Sequence, residues 1–127
     1  MKRAPHAKVL FHSCGAIEPI INDLIEVGVD ILNPVQPLAK GMDSATLKEK
    51  YGDRISFHGG VDLQEAMSIM GTIASVRKEV DTRLRAFAPG GGYILAPAHN
   101  IQPDSTPDKV VDMYDYAFKR GKYPIRV

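Results

Sequence analysis

The stretch KVLFHSCGAIEPIINDLIEVGVDILNP, residues 8–34, predicts one strand–helix–strand unit. Its first apolar run, residues 8–12, is rich in the β-branched and aromatic side chains of a buried strand. Isoleucine and leucine then recur at helical spacing over residues 17–25, and Gly28 stands where a helix C-terminus is expected. A second apolar run, residues 29–33, follows at once. Two parallel strands connected by a helix are therefore expected here.

The same alternation continues to the end of the chain. Further strands are predicted at residues 54–58 and 93–96. A short helix is predicted to begin at Ser44, and further helices at Thr72 and Thr106; the hydroxyl groups of these three residues can cap a helix N-terminus. In the last of these helices, helical spacing predicts a buried face made of Val110, Tyr114, Ala117 and Phe118.

Two intermediate segments complete the pattern. Residues 63–70 are a candidate short helix. The charged residues 77–83 are expected on the solvated side of the helix that begins at Thr72, where Glu79 and Arg83 have the i,i+4 spacing of an ion pair.

Four β/α units in succession predict an α/β fold with a parallel sheet and right-handed crossovers. Two architectures fit: a small doubly wound sheet, or four units of a (β/α)8 TIM barrel, which normally takes about 250 residues. The 127 residues are expected to form a single partial domain, residues 1–127. Both architectures bind ligands at the carboxyl ends of the strands.

Composition narrows the classes of partner and compartment. Sixteen basic and 15 acidic residues give a formal charge of +1, which offers no reason to expect a nucleic acid or an anionic membrane as partner. No apolar run reaches the ~20 residues of a membrane helix, and no signal sequence is recognisable. The single cysteine, Cys14, cannot form an intramolecular disulfide, so a cytoplasmic location is expected.

Polar side chains follow each predicted strand. The candidate site residues are His12, Cys14, Asn33, Gln36, His58, Asp62, His99 and Asn100. His12 and Cys14 point to the same side if their strand continues, and imidazole with thiolate suits zinc, with His99 as a third ligand. The alternative is that Cys14 is a small buried apolar residue and His12 a hydrogen-bonded packing residue.

Other strand-end motifs also allow two interpretations. His58 before Gly59 and Gly60 is either a proton donor beside a ligand or part of a tight βα turn, and the turn is favoured. Asp62 either orients a histidine or caps the segment after it. The glycines at 90–92 precede their strand, so they predict helix termination and not a phosphate loop.

Taken in order, these motifs resemble the C-terminal part of the uroporphyrinogen decarboxylase superfamily. The motifs are HSCG at 12–15, GVDILN at 28–33, GDR at 52–54, HGGVD at 58–62, GGYILAPAHN at 91–100, Pro103, and Thr106 with Pro107. The superfamily includes the decarboxylases of haem biosynthesis and zinc-dependent methyltransferases that work with corrinoid proteins. The resemblance implies the C-terminal half of a TIM barrel, with its site at the barrel mouth. It also implies a missing N-terminal half and an internal start at residues 1–3.

The two branches of the superfamily imply different roles. In the methyltransferase branch, a His-x-Cys pair and a later cysteine bind zinc, which activates a thiol. His12 and Cys14 match the pair, and His99 stands in place of the later cysteine. Asn33, Gln36 and His58 would then support the ligands or contact the substrate.

In the decarboxylase branch, His99 matches the histidine of a Gly-His-Gly segment in the porphyrinogen cleft, although its neighbours here are Ala98 and Asn100. The essential aspartate and arginine segment of that branch have no counterpart, so the resemblance favours the methyltransferase. His99 and His58 are the catalytic candidates, and Asn33, Gln36, Asp62 and Asn100 the substrate-binding ones. A small-molecule, tetrapyrrole or corrinoid substrate is implied; the remaining alternative is a catalytically inactive half-barrel.

A four-stranded part of a barrel has two open edges, predicted at residues 8–12 and 93–96. Its inner face is predicted to carry Val9, Phe11, Ile31, Ile55, Phe57 and Ile94. A homo-oligomer would cover the open edges and the inner face, and two copies can close eight strands around a two-fold axis. His99 of one chain would then approach His12 and Cys14 of its partner.

Overall fold

Strands and helices alternate along the chain in the computed structural model, which describes residues 4 and 6–125. The strands are β1 (Leu10–His12), β2 (Ile31–Val35), β3 (Ser56–Val61) and β4 (Tyr93–Pro97). The helices are α1 (Ile21–Glu26), α2 (Ser44–Tyr51), α3 (Ile73–Phe87) and α4 (Pro107–Arg120), and a 3-10 turn, Glu18–Ile20, leads into α1. The predicted internal start at residues 1–3 lies outside the described residues.

The four strands form one parallel sheet in the order β1-β2-β3-β4. Leu10 is in register with Ile31, and Phe57 with Tyr93. Within the described residues, β1 and β4 each leave one edge of the sheet open. The predicted succession of four parallel β/α units is therefore confirmed.

The apolar core lies between the sheet and the helices. Phe57 is fully buried there, and its ring centre is 4.8 Å from that of Phe87 on α3. Phe11 and Ile55 join the same core. The prediction that Phe11, Ile55 and Phe57 lie on the inner face of a barrel was wrong. Successive side chains of a strand point to opposite faces, and these three point to the face that the helices cover.

The opposite, inner face of the sheet is open in this chain. Leu10 and Ile94 are 50% and 44% exposed there. A parallel sheet is usually covered on both faces. In a closed barrel the remaining strands would cover this face.

Two strands lie further along the chain than predicted. β2 begins at Ile31 and includes Pro34, and β3 continues through Gly59 and Gly60 to Val61. The predicted βα turn at Gly59 and Gly60 is therefore strand. Both have positive φ, and a Cβ on Gly59 would lie 3.2 Å from the main-chain nitrogen of Val35. Glycine lets the neighbouring strands approach here.

The segment after β3 is a series of turns and not the short helix predicted at 63–70. The Asp62 carboxylate accepts hydrogen bonds from the main-chain N–H groups of Gln64, Glu65 and Ala66. The carboxylate thus bonds the N–H groups at the start of this segment, and the main-chain hydrogen bonds of a helix do not form. The predicted cap of α2 also differs by one residue, because Asp43 accepts from the N–H of Thr46 and Ser44 is buried.

The last helix, α4, presents a face that differs in part from the prediction. Val110 and Ala117 pack against the core as predicted. Lys109 and Met113 are buried, whereas Tyr114 and Phe118 are 47% and 76% exposed. The helix packs mainly against α3 and not against the sheet, which rotates its buried face. The helix begins after Thr106 and ends at Gly121 as predicted, but the Thr106 side chain makes no capping hydrogen bond.

On α3 the predicted Glu79–Arg83 ion pair forms, with 2.9 Å between Arg83 Nε and Glu79 Oε1. Both side chains are largely buried and not on the solvated side, since Arg83 also reaches the hydroxyl of Ser44 on α2. Within residues 4 and 6–125, no helix has both the length and the apolar character that crossing a membrane requires.

Candidate functional site at the mouth of the sheet

Three candidate residues form a hydrogen-bonded row across β1, β2 and β3. His12 Nδ1 lies 2.7 Å from Asn33 Oδ1, and Asn33 Nδ2 lies 2.6 Å from His58 Nδ1. The parallel register places His12 beside Asn33. One amide therefore joins the two imidazoles at the carboxyl ends of the strands, where an α/β sheet binds ligands.

Cys14 extends this row. Its Sγ atom lies 3.5 Å from Nε2 of His12, and the thiol is exposed. The Zn–N and Zn–S bond lengths of a tetrahedral site place two such ligand atoms about 3.5 Å apart. The loop that carries the thiol is held by Gln36, whose Oε1 accepts a hydrogen bond of 2.6 Å from the N–H of Gly15. The pair therefore has the chemistry and spacing of two zinc ligands.

His99 lies close to this pair but not within ligating distance. Its ring centre is 6.4 Å from that of His12, at an angle of 70°. Two imidazoles on one tetrahedral zinc have ring centres about 5 Å apart. Among the described residues, no three His, Cys, Asp or Glu side chains are grouped closely enough to hold a metal. The approach of His99 to His12 occurs within one chain and needs no partner.

Two cavities meet at His99. One, of about 380 Å³, is lined by candidate residues from all four strand ends: His12, Asn33, His58, His99 and Asn100. The other, of about 480 Å³, is lined by Gln36, Asp62 and His99. All the candidate residues except Cys14 thus border one cavity or the other.

The second cavity also has lining residues that the sequence analysis missed. They are Leu38, Gln102 and Asp104. They follow β2 and β4 by several residues, so only their position after a strand could have indicated them.

The surroundings of Asp62 and His58 define their roles further. Asp62 is buried and its carboxylate caps the turn that follows, which is the capping alternative and not the orientation of a histidine. Burial lowers the pKa of His58 because the charged imidazolium loses hydration. His58 is therefore neutral near pH 7.

The comparisons with known proteins show the family and the fold of the chain. The family model "Uroporphyrinogen decarboxylase (URO-D)" matches residues 1–119. The chain belongs to the uroporphyrinogen decarboxylase family. It is 32% identical over 65 residues to a uroporphyrinogen decarboxylase of Sodalis glossinidius, a match that covers 51% of this chain and 18% of that protein. A uroporphyrinogen decarboxylase of Pseudoalteromonas translucida is 33% identical over 61 residues, or 48% and 16% of the two chains.

A solved methyltransferase from Methanosarcina mazei has the same fold. Its TM-score is 0.72 at 21% identity, and the match covers 90% of this chain and 32% of that one. The four β/α units are therefore part of a TIM barrel, and the doubly wound alternative does not apply. The aligned region spans less than a fifth of each curated relative and about a third of the solved structure.

Proposed function

We propose that this chain is part of a zinc-dependent methyltransferase of the uroporphyrinogen decarboxylase family that acts with a corrinoid protein. The observation that carries the proposal is the 3.5 Å separation of His12 Nε2 and Cys14 Sγ at the mouth of the sheet. The fold of the methyltransferase from Methanosarcina mazei supports the same assignment at the level of architecture.

The chain's own residues have distinct roles in this proposal. His12 and Cys14 would hold the zinc, and His99, whose ring centre lies 6.4 Å from that of His12, would be the third protein ligand. A zinc ion held there would lower the pKa of a thiol substrate and so favour its nucleophilic thiolate form.

The cavities on either side of His99 provide the substrate space. His58 and Asn100 line the one beside the zinc ligands, and Gln36 and Asp62 line the other. Both cavities are lined by residues at the carboxyl ends of the strands, so in this proposal the corrinoid protein would approach that end of the sheet.

Decarboxylation of uroporphyrinogen is the second candidate function. The two curated relatives bear that name and are 32% and 33% identical to this chain over 65 and 61 residues. His99 would be the proton-transfer group. General acid–base catalysis by one group contributes about 10²–10⁴-fold, so we expect no measurable decarboxylation by the 127 residues without the carboxylate and arginines that bind the pyrrole groups.

Metal content distinguishes the two functions. We expect the chain purified in zinc-containing buffer to retain one zinc, and Cys14→Ser to lose it. A wild-type chain without zinc under these conditions contradicts the methyltransferase. Uroporphyrinogen turnover by the same preparation, followed by chromatography of the porphyrin products, would replace it with the decarboxylase.

A further inference from the structure

We infer that Asn33 is a positioning residue that imposes opposite tautomers on His12 and His58, making one imidazole a ligand and the other a hydrogen-bond donor. The tautomers follow from the hydrogen bonds of the chain alone. The consequence for metal binding rests on the proposed function.

A side-chain amide has one accepting end and one donating end. Asn33 directs Oδ1 towards His12 Nδ1, at 2.7 Å. A bond of that length to an amide oxygen requires a hydrogen on Nδ1. In a neutral imidazole, Nε2 then carries the lone pair. That lone pair faces the thiol of Cys14 at 3.5 Å, where a zinc ion would bind.

The other end of the amide has the opposite effect on His58. Asn33 Nδ2 donates to His58 Nδ1 at 2.6 Å, so Nδ1 is the accepting atom. Because the accepting Nδ1 carries no hydrogen, His58 is neutral in this arrangement and its hydrogen resides on Nε2. His58 lines the same cavity as His12. It thus offers an N–H group to a substrate oxygen or sulfur that accepts hydrogen bonds, and not a lone pair to a metal.

Two substitutions separate the contacts of this amide. Aspartate at position 33 has two accepting oxygens, so it can keep the bond to His12 but must draw the His58 hydrogen to Nδ1. Leucine has a similar branched shape and makes neither contact. The main-chain oxygen of Asn33 accepts from the N–H of Ser13 at 2.9 Å, and this bond to the ligand loop does not depend on the side chain.

The direct test is the tautomeric state of the histidines in the metal-free 127-residue chain, measured by long-range ¹H–¹⁵N NMR of the imidazoles. We expect the Nδ1–H form for His12 and the Nε2–H form for His58. The reverse pattern, or fast exchange between tautomers at either ring, overturns the inference.

Variants then separate the two effects of the amide. Asn33→Leu should weaken zinc binding by about 10–100-fold in competition with a chelator, the usual effect of losing a group that orients a ligand. Asn33→Asp should retain zinc and convert His58 to the Nδ1–H form. The control Asn22→Leu, an exposed asparagine on α1, should change neither.

The outcomes also distinguish this inference from the proposed function. Expected tautomers in a chain that binds no zinc would leave the inference intact and contradict the methyltransferase. Zinc bound equally well by wild type and Asn33→Leu would contradict the role of Asn33 towards the metal. If Asn33→Leu fails to fold, the wild-type spectrum and Asn33→Asp still decide the question.

Discussion

The ammonium group of Lys109, in the first turn of α4, is buried and donates a hydrogen bond of 2.5 Å to the main-chain oxygen of Ser68. Beside it, the Ser105 hydroxyl donates to the oxygen of Met67 at 2.8 Å. The start of α4 therefore holds the turns after β3, which include the buried cap Asp62.

Replacing Lys109 should destabilise the fold. In Lys109→Met the Ser68 oxygen loses its donor while it stays buried, which costs about 1–3 kcal/mol. Urea titration followed by circular dichroism measures the change in the free energy of unfolding. The matched variant Lys119→Met removes an exposed lysine of the same helix and should change stability by less than about 0.5 kcal/mol. Equal effects of the two variants would contradict the prediction.

The aromatic core under the sheet should be more sensitive. Phe57 is fully buried against Phe87, so Phe57→Ala should cost about 3–5 kcal/mol through lost burial and an unfilled cavity. Val27 is 79% exposed, and Val27→Ala should change the unfolding free energy by about 0.5 kcal/mol or less. Calorimetric unfolding of both variants tests the predicted contrast, which a similar loss in each would disprove.

Acid should weaken the contact of Glu18 with α2. The Lys50 ammonium at 3.0 Å and the Tyr51 hydroxyl at 2.8 Å hold the pKa of Glu18 below its ordinary value near 4.5. Because the pKa of Glu18 is lower in the folded state, its carboxylate stabilises the fold at pH values above the ordinary pKa. This contribution is lost as the pH falls through the pKa of the folded state.

We therefore expect the unfolding free energy of Glu18→Gln to depend less on pH below about 4.5 than that of the wild type. Glu49 is exposed on α2, and Glu49→Gln should preserve the wild-type dependence. Denaturant titrations at a series of acidic pH values provide the comparison. An unchanged slope in Glu18→Gln would show that the carboxylate contributes nothing.

Cobalt(II) offers a spectroscopic test of the proposed ligand pair. If Cys14 binds the metal, the cobalt-loaded chain should show a thiolate-to-metal charge-transfer band in the near ultraviolet. Cys14→Ser should abolish that band, and Ser13→Ala, a neighbour in the same loop, should retain it. A band that survives in Cys14→Ser would exclude this cysteine, because the sequence contains no other thiol.

The open inner face and sheet edges lead us to expect a homo-oligomer. α4 adds an exposed apolar stripe formed by Val111, Tyr114 and Phe118. Burial of such surfaces favours association. Light scattering at micromolar concentration should therefore report a mass above 13.9 kDa, and Phe118→Lys should lower it. A 13.9 kDa monomer would refute the expectation.

The alternation of apolar runs with helical periodicity was sufficient to predict four parallel β/α units, whereas the choice of a TIM barrel over a doubly wound sheet came from the resemblance to the family. α3 begins after Thr72 and α4 after Thr106, as predicted, since cap residues and apolar spacing act over a few neighbouring positions. The face of the sheet to which several strand side chains point was not predicted correctly. Phe57 belongs to the helix side because neighbouring strands determine which face each side chain occupies.

For the candidate site, the sequence by itself determined that His12, Asn33, His58 and His99 follow successive strands and so share one end of a parallel sheet. Only the tertiary structure decided that one amide joins two of the imidazoles and that His99 lies just beyond ligating distance. It also decided that Lys109 is buried. These contacts join residues that are 21 or more positions apart, and differences of about 1 Å between distant side chains depend on packing and register, which local sequence patterns do not encode.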